Sequence, residues 1–374
     1  MNKAHKLSDI ILCAVFSAII VGLGLWVNVK APDKLSISER RELSSKPEIS
    51  YSDVSSGKYF KAYEEYLLDQ FPMREDFRRV KSFATYYVFG QTDNHGIVMK
   101  NGHAVGIETP SEKSVNVFFK RLDSLYENHF ESVPGLSVYT TVIPDKMYFL
   151  GDDIGYPTVD YASLRQRMAT DAPGKYIDIF DMLDIDDYYK TDTHWKEEKI
   201  TDIADALLVG MGNDKNENLV FSKPYSPFYG VYYGQSALLL DPDEIVSVHS
   251  EIIDSASFIR ANINSTGFDA SAIYDEEKLL SNDAYDFYLG GACTVCQITS
   301  ELSESGKTLY LFSDSFGRSL APLLLSGYEK IVICDIRYIS PSEIFSRIPL
   351  EHSADVLFAY SMATVDNSTT LRTE

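Results

Sequence analysis

The 374-residue chain predicts an α/β domain whose mainly parallel sheet is covered by helices on both faces. Short apolar runs rich in β-branched and aromatic residues alternate with stretches in which apolar residues recur every three or four positions. The composition is 45% hydrophobic, so a core large enough for such a domain can be buried. One predicted helix carries Val115, Phe118, Leu122 and Leu125 on one face. The predicted strands are Leu136–Val142, Tyr176–Ile179, Thr308–Phe312, Lys330–Cys334 and Asp355–Ala359.

The N-terminus has the features of a membrane anchor. An uncharged apolar run from Ile10 to Val27 follows Lys3, His5 and Lys6, and as a helix it would span about 27 Å. Because the positive charges precede the run, we predict an anchor over residues 1–30, with the N-terminus inside and the rest of the chain outside. A cleaved signal peptide is the alternative, although the run is long for one and no A-x-A-like site follows it.

The rest of the chain divides by composition. Residues 31–50 are polar and contain prolines, which suits a short stalk, and residues 57–90 predict two helices separated by Pro72. We therefore predict stalk and juxtamembrane helices over 31–90 and the α/β domain over 91–374. Poor periodicity at about 212–302 predicts an insertion that forms a lid or hairpin. The predicted apolar faces of the two helices consist of Phe60, Tyr63 and Leu67 in the first and Phe77, Val80, Ala84 and Tyr87 in the second.

Charge and cysteine content exclude some classes of function. The formal net charge of -21 argues against nucleic acid as a partner, because a phosphate polymer would be repelled. Cys13 and Cys334 lie in apolar runs and are predicted to be buried thiols. Cys293 and Cys296 form a single C-x-x-C, which could be a local disulfide or a reduced pair; a metal site there would need two further ligands.

Ser315 occupies a predicted turn between a strand and a helix. The strand Thr308–Phe312 precedes it, and Gly317 and a helical pattern from Leu320 to Leu325 follow it. Open α/β sheets bind ligands at the carboxyl ends of their strands, and helix amides there can hold a developing negative charge. Ser315 is therefore a candidate nucleophile; the alternative is that this polar stretch only caps a helix.

Asp192 and His194 form the second candidate element. Residues two apart in an extended segment project to the same side, so the carboxylate could orient the imidazole. Trp195, which follows, would anchor the loop on the core. A hydrogen-bonded surface pair is the alternative, and a zinc site is disfavoured because the chain has no H-E-x-x-H. Together with Ser315, the pair supplies a nucleophile, a base and an orienting carboxylate.

These two motifs resemble those of DHHW-type proteins and of the related periplasmic alginate O-acetylation proteins, which belong to the SGNH-hydrolase-like superfamily. The chain has Asp192-Thr193-His194-Trp195, with Thr193 in the second position, and Ser313-Asp314-Ser315, with Ser313 where glycine is usual. The Asp-His motif precedes the serine motif, as in the alginate-type acetyltransferases. Four further stretches resemble family motifs: Ser38–Leu43 followed by Pro47, Asp69–Arg74, Pro144–Lys146 and Asp335–Tyr338.

The resemblance implies an SGNH-hydrolase-like three-layer sandwich whose catalytic triad is Asp192, His194 and Ser315. It implies transfer of an acetyl group through Ser315 to a hydroxyl of a cell-surface or exported polysaccharide. The implied donor partner is a multi-pass membrane acyltransferase, and no cofactor is implied. The alternatives are a carbohydrate esterase with the same triad and a non-catalytic polysaccharide-binding component of an export complex.

The candidate substrate-binding residues are Arg337, Trp195, Tyr229 and Gly230. Arg337 follows an apolar strand and could steady a substrate oxygen, or pair with Asp314 or Asp335. Tyr229, with Tyr232 and Tyr233, could stack on a sugar, or could pack in the core with a wet hydroxyl. Gly230 and Gly234 are the candidates for a second oxyanion donor besides the backbone at Ser315.

Overall fold

The computed structural model describes residues 3–36, 38–107, 111–261 and 267–374, with side chains from Ser8 onward in those ranges. The first two residues of the predicted anchor lie outside that description, and so do the side chains of Lys3, His5 and Lys6. The chain forms two compact units, one of residues 1–94 with 234–239 and one of residues 95–233 with 240–374. We call them the N-terminal unit and the α/β unit. The assignment of anchor, stalk and catalytic domain stays a prediction.

The N-terminal unit begins with an apolar helix, α1 (Lys3–Val29). From Ser8 to Val29 this helix is long and apolar enough to cross a membrane, by length and composition, and it fits a single-pass anchor or a signal sequence. The other elements of the unit are β1 (Leu35–Ser36), β2 (Arg41–Glu42), α2 (Tyr51–Ser56), α3 (Lys58–Asp69), α4 (Arg74–Phe83), a π-helix (Ala84–Val88) and β3 (Asp93–Asn94).

A bidentate ion pair holds β2 to the end of α3. Arg41 donates from Nη1 and Nη2 to the two carboxylate oxygens of Asp69, at 2.9 and 2.6 Å. The Arg41 guanidinium holds the pKa of the Asp69 carboxyl below its ordinary range, because the hydrogen bonds favour the charged form. The stretch predicted as a polar stalk is therefore tied to the juxtamembrane helices.

The predicted apolar face of α3 is partly buried, since Tyr63 and Leu67 are half-buried and Phe60 is 62% exposed.

The predicted apolar face of α4 is wrong in orientation. Phe77 and Val80 are 51% and 66% exposed. The buried residue of α4 is instead Ser82. Helical periodicity was correct, but the side of α4 that packs against the unit is polar, since Arg74 and other charged residues there make ion pairs.

The α/β unit is built on one sheet, which has eight strands within the described residues. The strands of the unit are β4 (Ile97–Lys100), β5 (His103–Gly106), β6 (Ser137–Ile143), β7 (Lys175–Tyr176), β8 (Val220–Phe221), β9 (Tyr225–Phe228), β10 (Asp243–Ile245), β11 (Val248–His249), β12 (Ser257–Ala261), β13 (Asp269–Ser271), β14 (Val295–Thr299), β15 (Thr308–Ser313), β16 (Lys330–Cys334) and β17 (Asp355–Ser361). Across the sheet the order is β13-β12-β14-β16-β15-β17-β6-β7. The strands from β16 to β7 are parallel, and β14, β12 and β13 each run antiparallel to a neighbour.

Helices cover both faces of this sheet, which confirms the predicted α/β class. Along β15, Leu309 and Leu311 join one apolar cluster, whereas Tyr310 and Phe312 join the other, because successive strand residues point to opposite faces. The α-helices of the unit are α5 (Glu112–His129), α6 (Lys146–Ile154), α7 (Tyr161–Asp171), α8 (Thr201–Gly210), α9 (Val231–Ser236, of which residues 234–236 belong to the N-terminal unit), α10 (Glu251–Asp254), α11 (Gly317–Leu320), α12 (Pro341–Arg347) and α13 (Met362–Asp366). The 3₁₀ helices are Phe180–Met182, Ile185–Asp187, Glu197–Lys199, Glu276–Leu280, Ala284–Phe287, Ala321–Leu324 and Ser368–Thr370.

The predicted strands and the predicted apolar face of α5 are confirmed, with one strand much shorter than predicted. The strand predicted over Tyr176–Ile179 leaves the sheet after Tyr176, since the Asp178 carboxylate accepts the Phe180 amide and starts a 3₁₀ turn. In addition, β12, β13 and β14 come from the 212–302 stretch that the sequence predicts as an insertion. Their poor periodicity reflects short strands separated by turns.

Leu311 tests the central position of β15. The side chain is fully buried in the first apolar cluster, so we expect Leu311→Ala to lower the free energy of unfolding by about 2–5 kcal/mol through lost burial and a residual cavity. Leu302→Ala is the matched control, because Leu302 is 53% exposed. Chemical denaturation measures both. Equal losses in the two variants would contradict the buried position of β15.

Candidate active site

Ser315 lies in the turn that joins β15 to α11. Asp314, next to it, is buried and fixes the turn to the end of β17. One carboxylate oxygen of Asp314 accepts the Phe316 amide at 3.1 Å. The other accepts the Ser361 amide and hydroxyl at 2.9 and 2.6 Å, and the Thr364 hydroxyl at 2.7 Å. The predicted capping role therefore belongs to Asp314, while Ser315 remains half-buried and available for another partner.

The departure from glycine at Ser313 does not loosen the turn. Ser313 is the last residue of β15 and pairs in parallel register with Ala359. Its hydroxyl approaches Gly317 so closely that a Cβ on Gly317 would lie 1.9 Å from the Ser313 oxygen. The tight approach that a glycine at position 313 would allow is supplied here by Gly317.

Asp192 and His194 lie in a loop before the 3₁₀ helix Glu197–Lys199. Asp192 is fully buried, and one of its carboxylate oxygens accepts the His194 amide at 3.1 Å. The other accepts the Val231 amide at 2.8 Å. These backbone hydrogen bonds hold the carboxylate in place and compensate for its burial.

The two elements meet through the His194 ring. His194 Nδ1 lies 2.6 Å from Asp192 Oδ1, and His194 Nε2 lies 2.7 Å from Ser315 Oγ. Because the Asp192 carboxylate accepts hydrogen bonds, the proton of a neutral imidazole resides on Nδ1, which leaves Nε2 to accept the Ser315 hydroxyl. The structure thus brings together all three predicted catalytic residues in the order carboxylate, imidazole and hydroxyl.

Further hydrogen bonds, centred on Asp243 and Thr191, fix the loop that carries Asp192. Asp243 accepts the Lys190 and Thr191 amides at 2.8 and 2.7 Å, and the Thr191 hydroxyl at 2.6 Å. The Gly230 amide donates to the Thr191 hydroxyl at 2.9 Å. A Cβ on Gly230 would lie 2.3 Å from Asp192 Cβ, so only glycine permits this approach.

Tyr285 covers the imidazole. Its ring stacks on that of His194, with centroids 3.8 Å apart and planes 7° from parallel. Burial raises the pKa of the Tyr285 hydroxyl, so it stays protonated at neutral pH, and it lies 3.1 Å from the Ser319 hydroxyl. An ion pair between Arg318 and Asp286 ties this covering segment to α11. No motif pointed to Tyr285, which lies in a stretch of poor periodicity.

The prediction that Trp195 contacts substrate is wrong. Trp195 is fully buried, and its indole N–H lies 3.3 Å from the Phe316 carbonyl and 3.0 Å from the Ser319 hydroxyl. It therefore anchors the His194 loop against α11, as its position before an apolar helical pattern also predicted.

The other predicted binding residues have different surroundings. Arg337 makes a bidentate ion pair with Asp335, at 2.8 and 2.6 Å, which is one of the predicted alternatives and occupies its guanidinium. Tyr229 is 41% exposed beside the Asp192 loop, and its ring lies 4.4 Å from that of Tyr233. Gly230 is buried and its amide already donates to Thr191, so it is not available as a second oxyanion donor. Gly234 belongs to the N-terminal unit.

A second Ser–His–Asp chain lies elsewhere in the α/β unit. Ser247 Oγ is 2.9 Å from His249 Nε2, and His249 Nδ1 is 2.7 Å from Asp254 Oδ1. Ser247 is 5% exposed and lies between two short strands, not at the carboxyl end of a central strand. This chain therefore lacks the setting of Ser315 and provides matched control residues.

Lys146 holds the loop before Thr191 through hydrogen bonds to backbone carbonyls. Its buried ammonium donates to the Ala104 carbonyl at 2.9 Å and to the Lys190 carbonyl at 3.4 Å. Burial lowers the pKa of Lys146 to about 7, and the carboxylates of Asp192 and Asp243 only partly oppose that effect. The sequence motif around Lys146 is thus explained by its contact with the loop that carries Asp192.

Cys293 and Cys296 form a disulfide, which is one of the two alternatives for this pair. Cys334 is a buried thiol, as predicted. The prediction that Cys13 is buried is wrong for the chain itself: Cys13 is exposed on α1, because little of the apolar span packs against the described residues. Among the residues that the structure describes, no three His, Cys, Asp or Glu side chains are grouped as metal ligands.

Comparison with known proteins finds similarity in structure. No protein-family model and no curated protein matches the chain. A DHHW family protein from Eubacterium siraeum matches 74% of this chain and 94% of its own, with a TM-score of 0.56 and 18% identity. PatB1 from Bacillus cereus, in a structure with a sulfonyl adduct, matches 72% of this chain and 95% of its own, with a TM-score of 0.56 and 13% identity.

At these identities the likeness shows a common fold, and with respect to fold the resemblance to DHHW-type proteins is confirmed. The O-acetyltransferase domain of Pseudomonas putida AlgJ matches 72% of this chain and 92% of its own, with a TM-score of 0.42 and 12% identity, too low to argue from.

Replacing the buried carboxylate of Asp314 tests the turn. In Asp314→Asn the amide group cannot accept all of the hydrogen bonds that the carboxylate accepts, so we expect a loss of about 2–4 kcal/mol in the free energy of unfolding. The exposed Asp152→Asn is the control and should change stability by less than about 0.5 kcal/mol. An Asp314→Asn protein as stable as the control would contradict the role of Asp314.

The lowered pKa of Lys146 predicts a pH dependence of stability. Between about pH 7 and the ordinary lysine pKa of 10.5, the folded state binds fewer protons than the unfolded state. The contribution of Lys146 to stability therefore falls as pH falls through this range and levels off below about pH 7. The unfolding free energy of the native chain minus that of Lys146→Met should rise by up to about 1.4 kcal/mol per pH unit above pH 7. A flat difference, like that expected for the exposed Lys120→Met, would contradict a lowered pKa.

Proposed function

We propose that the protein is an extracytoplasmic serine-dependent O-acyltransferase that moves an acetyl group through Ser315 onto hydroxyls of a polysaccharide. The observation that carries the proposal is the hydrogen-bond chain from Asp192 through His194 to a half-buried Ser315 at the end of a central strand. The motif order, which resembles that of alginate-type acetyltransferases, supports transfer to a sugar. The fold shared with a DHHW family protein and with PatB1 is consistent with this reaction.

In the first step, Ser315 Oγ attacks the carbonyl carbon of an acetyl donor while His194 Nε2 takes the hydroxyl proton. Asp192 holds the ring with the other proton on Nδ1 and stabilises the imidazolium that forms. Collapse of the tetrahedral intermediate breaks the bond to the donor oxygen or sulfur, which leaves with the proton from His194. The product is an acetyl ester on Ser315.

In the second step, His194 takes a proton from a sugar hydroxyl, whose oxygen attacks the acetyl-serine carbonyl. The ester bond to Ser315 breaks, and Ser315 Oγ recovers a proton from His194. The acetyl group ends on the sugar, so the protein is unchanged over the cycle. Tyr229, exposed beside the Asp192 loop, is a candidate for stacking on that sugar.

The backbone at Ser315 would stabilise the oxyanion. Within the part of the chain that the structure describes, the Phe316 and Gly317 amides have acceptors on Asp314, whereas the Ser315 amide has none. The Ser315 N–H is therefore a candidate oxyanion donor, a contribution typically of about 3 kcal/mol in the transition state.

The donor must reach the site from across a membrane. Acetyl-CoA is a cytoplasmic compound, and we propose that α1 anchors the chain with its N-terminus inside and the α/β unit outside. A multi-pass membrane acyltransferase that passes the acetyl group across the bilayer would then supply Ser315. The acceptor would be a cell-surface or exported polysaccharide.

The second candidate function is a carbohydrate esterase, because the same chain of residues can activate water. Incubation of the full chain with an activated acetyl ester and a polysaccharide discriminates the two reactions. New ester groups on the glycan support the transferase, and free acetate with no gain of glycan ester supports the esterase. If neither exceeds the blank, the non-catalytic binding component becomes the better account.

Substitutions at Ser315 and His194 test which residues act as nucleophile and base. Ser315→Ala and His194→Ala should each lower turnover of 4-nitrophenyl acetate by about 1,000-fold or more, since each removes a group that acts with the other. Ser247→Ala and His249→Ala remove the equivalent groups of the second chain and should keep near-native turnover. Loss of turnover in the control pair, or its retention in Ser315→Ala, would contradict the assignment.

Substitution of Gly230 tests whether the position of the Asp192 carboxylate matters for turnover. In Gly230→Ala the new methyl group must displace Asp192 or the Thr191 carbonyl, which would lie 2.3 and 2.4 Å away. We expect turnover to fall by about 100-fold through misplacement of the carboxylate. Val231→Ala, which keeps the amide that binds Asp192, is the control. Native turnover in Gly230→Ala would show that the carboxylate position is not critical.

A further inference from the structure

Helix α4 of the N-terminal unit has the reverse of the usual amphipathic orientation. Its polar side faces the protein: Arg74 donates to Glu39 at 2.5 Å, and Arg78 donates to the Gly234 carbonyl at 2.8 Å. The side chains of Arg74 and Arg78 are only 17% and 14% exposed. Ser82, also on this side, is buried and donates to the Ser236 carbonyl at 2.6 Å.

The opposite side of α4 and of the π-helix that continues it is exposed and apolar, except for Asp76 one turn before Val80. Phe77, Val80, Phe83 and Tyr87 are 51%, 66%, 58% and 70% exposed, and their spacing places them along one arc of the helix. We call these four residues the apolar strip. An amphipathic helix ordinarily buries its apolar arc, so the reversed orientation indicates that an apolar environment covers the strip.

The position of α1 identifies that environment. The hydroxyl of Tyr63 on α3 donates to Asn28, one residue before the end of the 22-residue apolar span, at 3.3 Å. Gln70 exchanges two hydrogen bonds with the backbone of Asp33, both at 2.8 Å. Val27, within the span, is only 2% exposed within the chain. Helix α3 and the residue that follows it, Gln70, are thus held against the end of α1.

Chain length leaves the start of α4 within reach of the bilayer. The four residues from Val29 to Asp33 reach at most about 14 Å, and the headgroup layer on each side of a bilayer is roughly 5–8 Å thick. Gln70 is fixed to Asp33, and α4 begins four residues later. Exposed Arg79 and Lys81 lie on the same helix, together with exposed Asp76. Basic residues beside exposed aromatic ones are typical of helices that lie in a membrane interface.

We propose that α4 and the following π-helix lie in the membrane interface, with the apolar strip inserted at the boundary between headgroups and acyl chains. The ligand is the surface of a lipid bilayer. The proposal rests on the part of the proposed function in which α1 spans the membrane. Insertion would cover the outward aromatic side chains and would fix the N-terminal unit against the bilayer.

Fluorescence in lipid nanodiscs tests the proposal with the full chain. A nitrobenzoxadiazole label is attached to Phe83→Cys, and separately to Val80→Cys, both in a Cys13→Ser background. Cys334 is buried, and Cys293 and Cys296 are bonded to each other, so none of the three reacts in the folded protein. The nanodiscs contain phosphatidylcholine and phosphatidylglycerol and no other protein. Native Cys13 is the reference label inside the bilayer, and the exposed Lys113→Cys on the α/β unit is the reference in water.

We expect labels at residues 80 and 83 to show blue-shifted emission, quenching by acyl-brominated lipid and protection from iodide, relative to the label at residue 113. If the label at Cys13 is quenched by brominated lipid but those at 80 and 83 behave like residue 113, the anchor stands and the proposal is overturned. A protein partner would then be the better occupant of the strip. If the label at Cys13 also behaves like that at residue 113, α1 is not in the bilayer, and the proposal fails with the anchor while the triad chemistry is untouched.

Discussion

The hydrogen bond between His194 Nε2 and Ser315 Oγ joins two turns that are 121 residues apart, and it depends on each turn being fixed independently. Asp314 fixes the serine turn by accepting hydrogen bonds from the end of β17. Asp192 fixes the histidine turn, and its own position depends on the glycine at residue 230. Buried carboxylates are costly unless hydrogen bonds compensate for them, so each is held in one geometry. The triad is aligned because each of the two turns is fixed by its own hydrogen bonds. The ring of Tyr285 then covers one face of the His194 ring.

The sequence predicts the parts of this site that follow local rules. The apolar run before Ser315 could only be a buried strand, and the spacing of Asp192 and His194 allowed a direct contact. Tyr285, Asp243 and the packing role of Gly230 could not be predicted, because their contacts cross 30 residues or more or lie in segments without clear periodicity. The burial of Trp195 also could not be predicted. Its position beside the Asp192–His194 motif suggested a substrate contact, but the tertiary structure shows that its side chain is fully buried.

Helix α4 shows how periodicity can be correct while orientation is wrong. The apolar spacing of Phe77 and Val80 predicts an amphipathic helix, and such a helix forms. Which arc faces the protein depends on partners elsewhere, and here Glu39 binds the arginine side. In the α/β unit the ordinary arrangement holds, since the apolar arc of α5 packs on the sheet. The two units therefore use the same pattern in opposite ways, as expected if one of them meets an apolar surface outside the chain.

The central claim is that Ser315 carries the acyl group, and intact-mass measurement of the full chain tests it most directly. Native protein, Ser315→Ala and Ser247→Ala are exposed to an activated acetyl ester or to a sulfonyl fluoride; the latter reagent mimics acyl donors at nucleophilic hydroxyls, and a sulfonyl adduct is present in the PatB1 structure. The account predicts one added group in native protein and in Ser247→Ala, mapped by peptide sequencing to Ser315, and none in Ser315→Ala. Equal labelling of Ser315→Ala, or no labelling of native protein by either reagent, would contradict it.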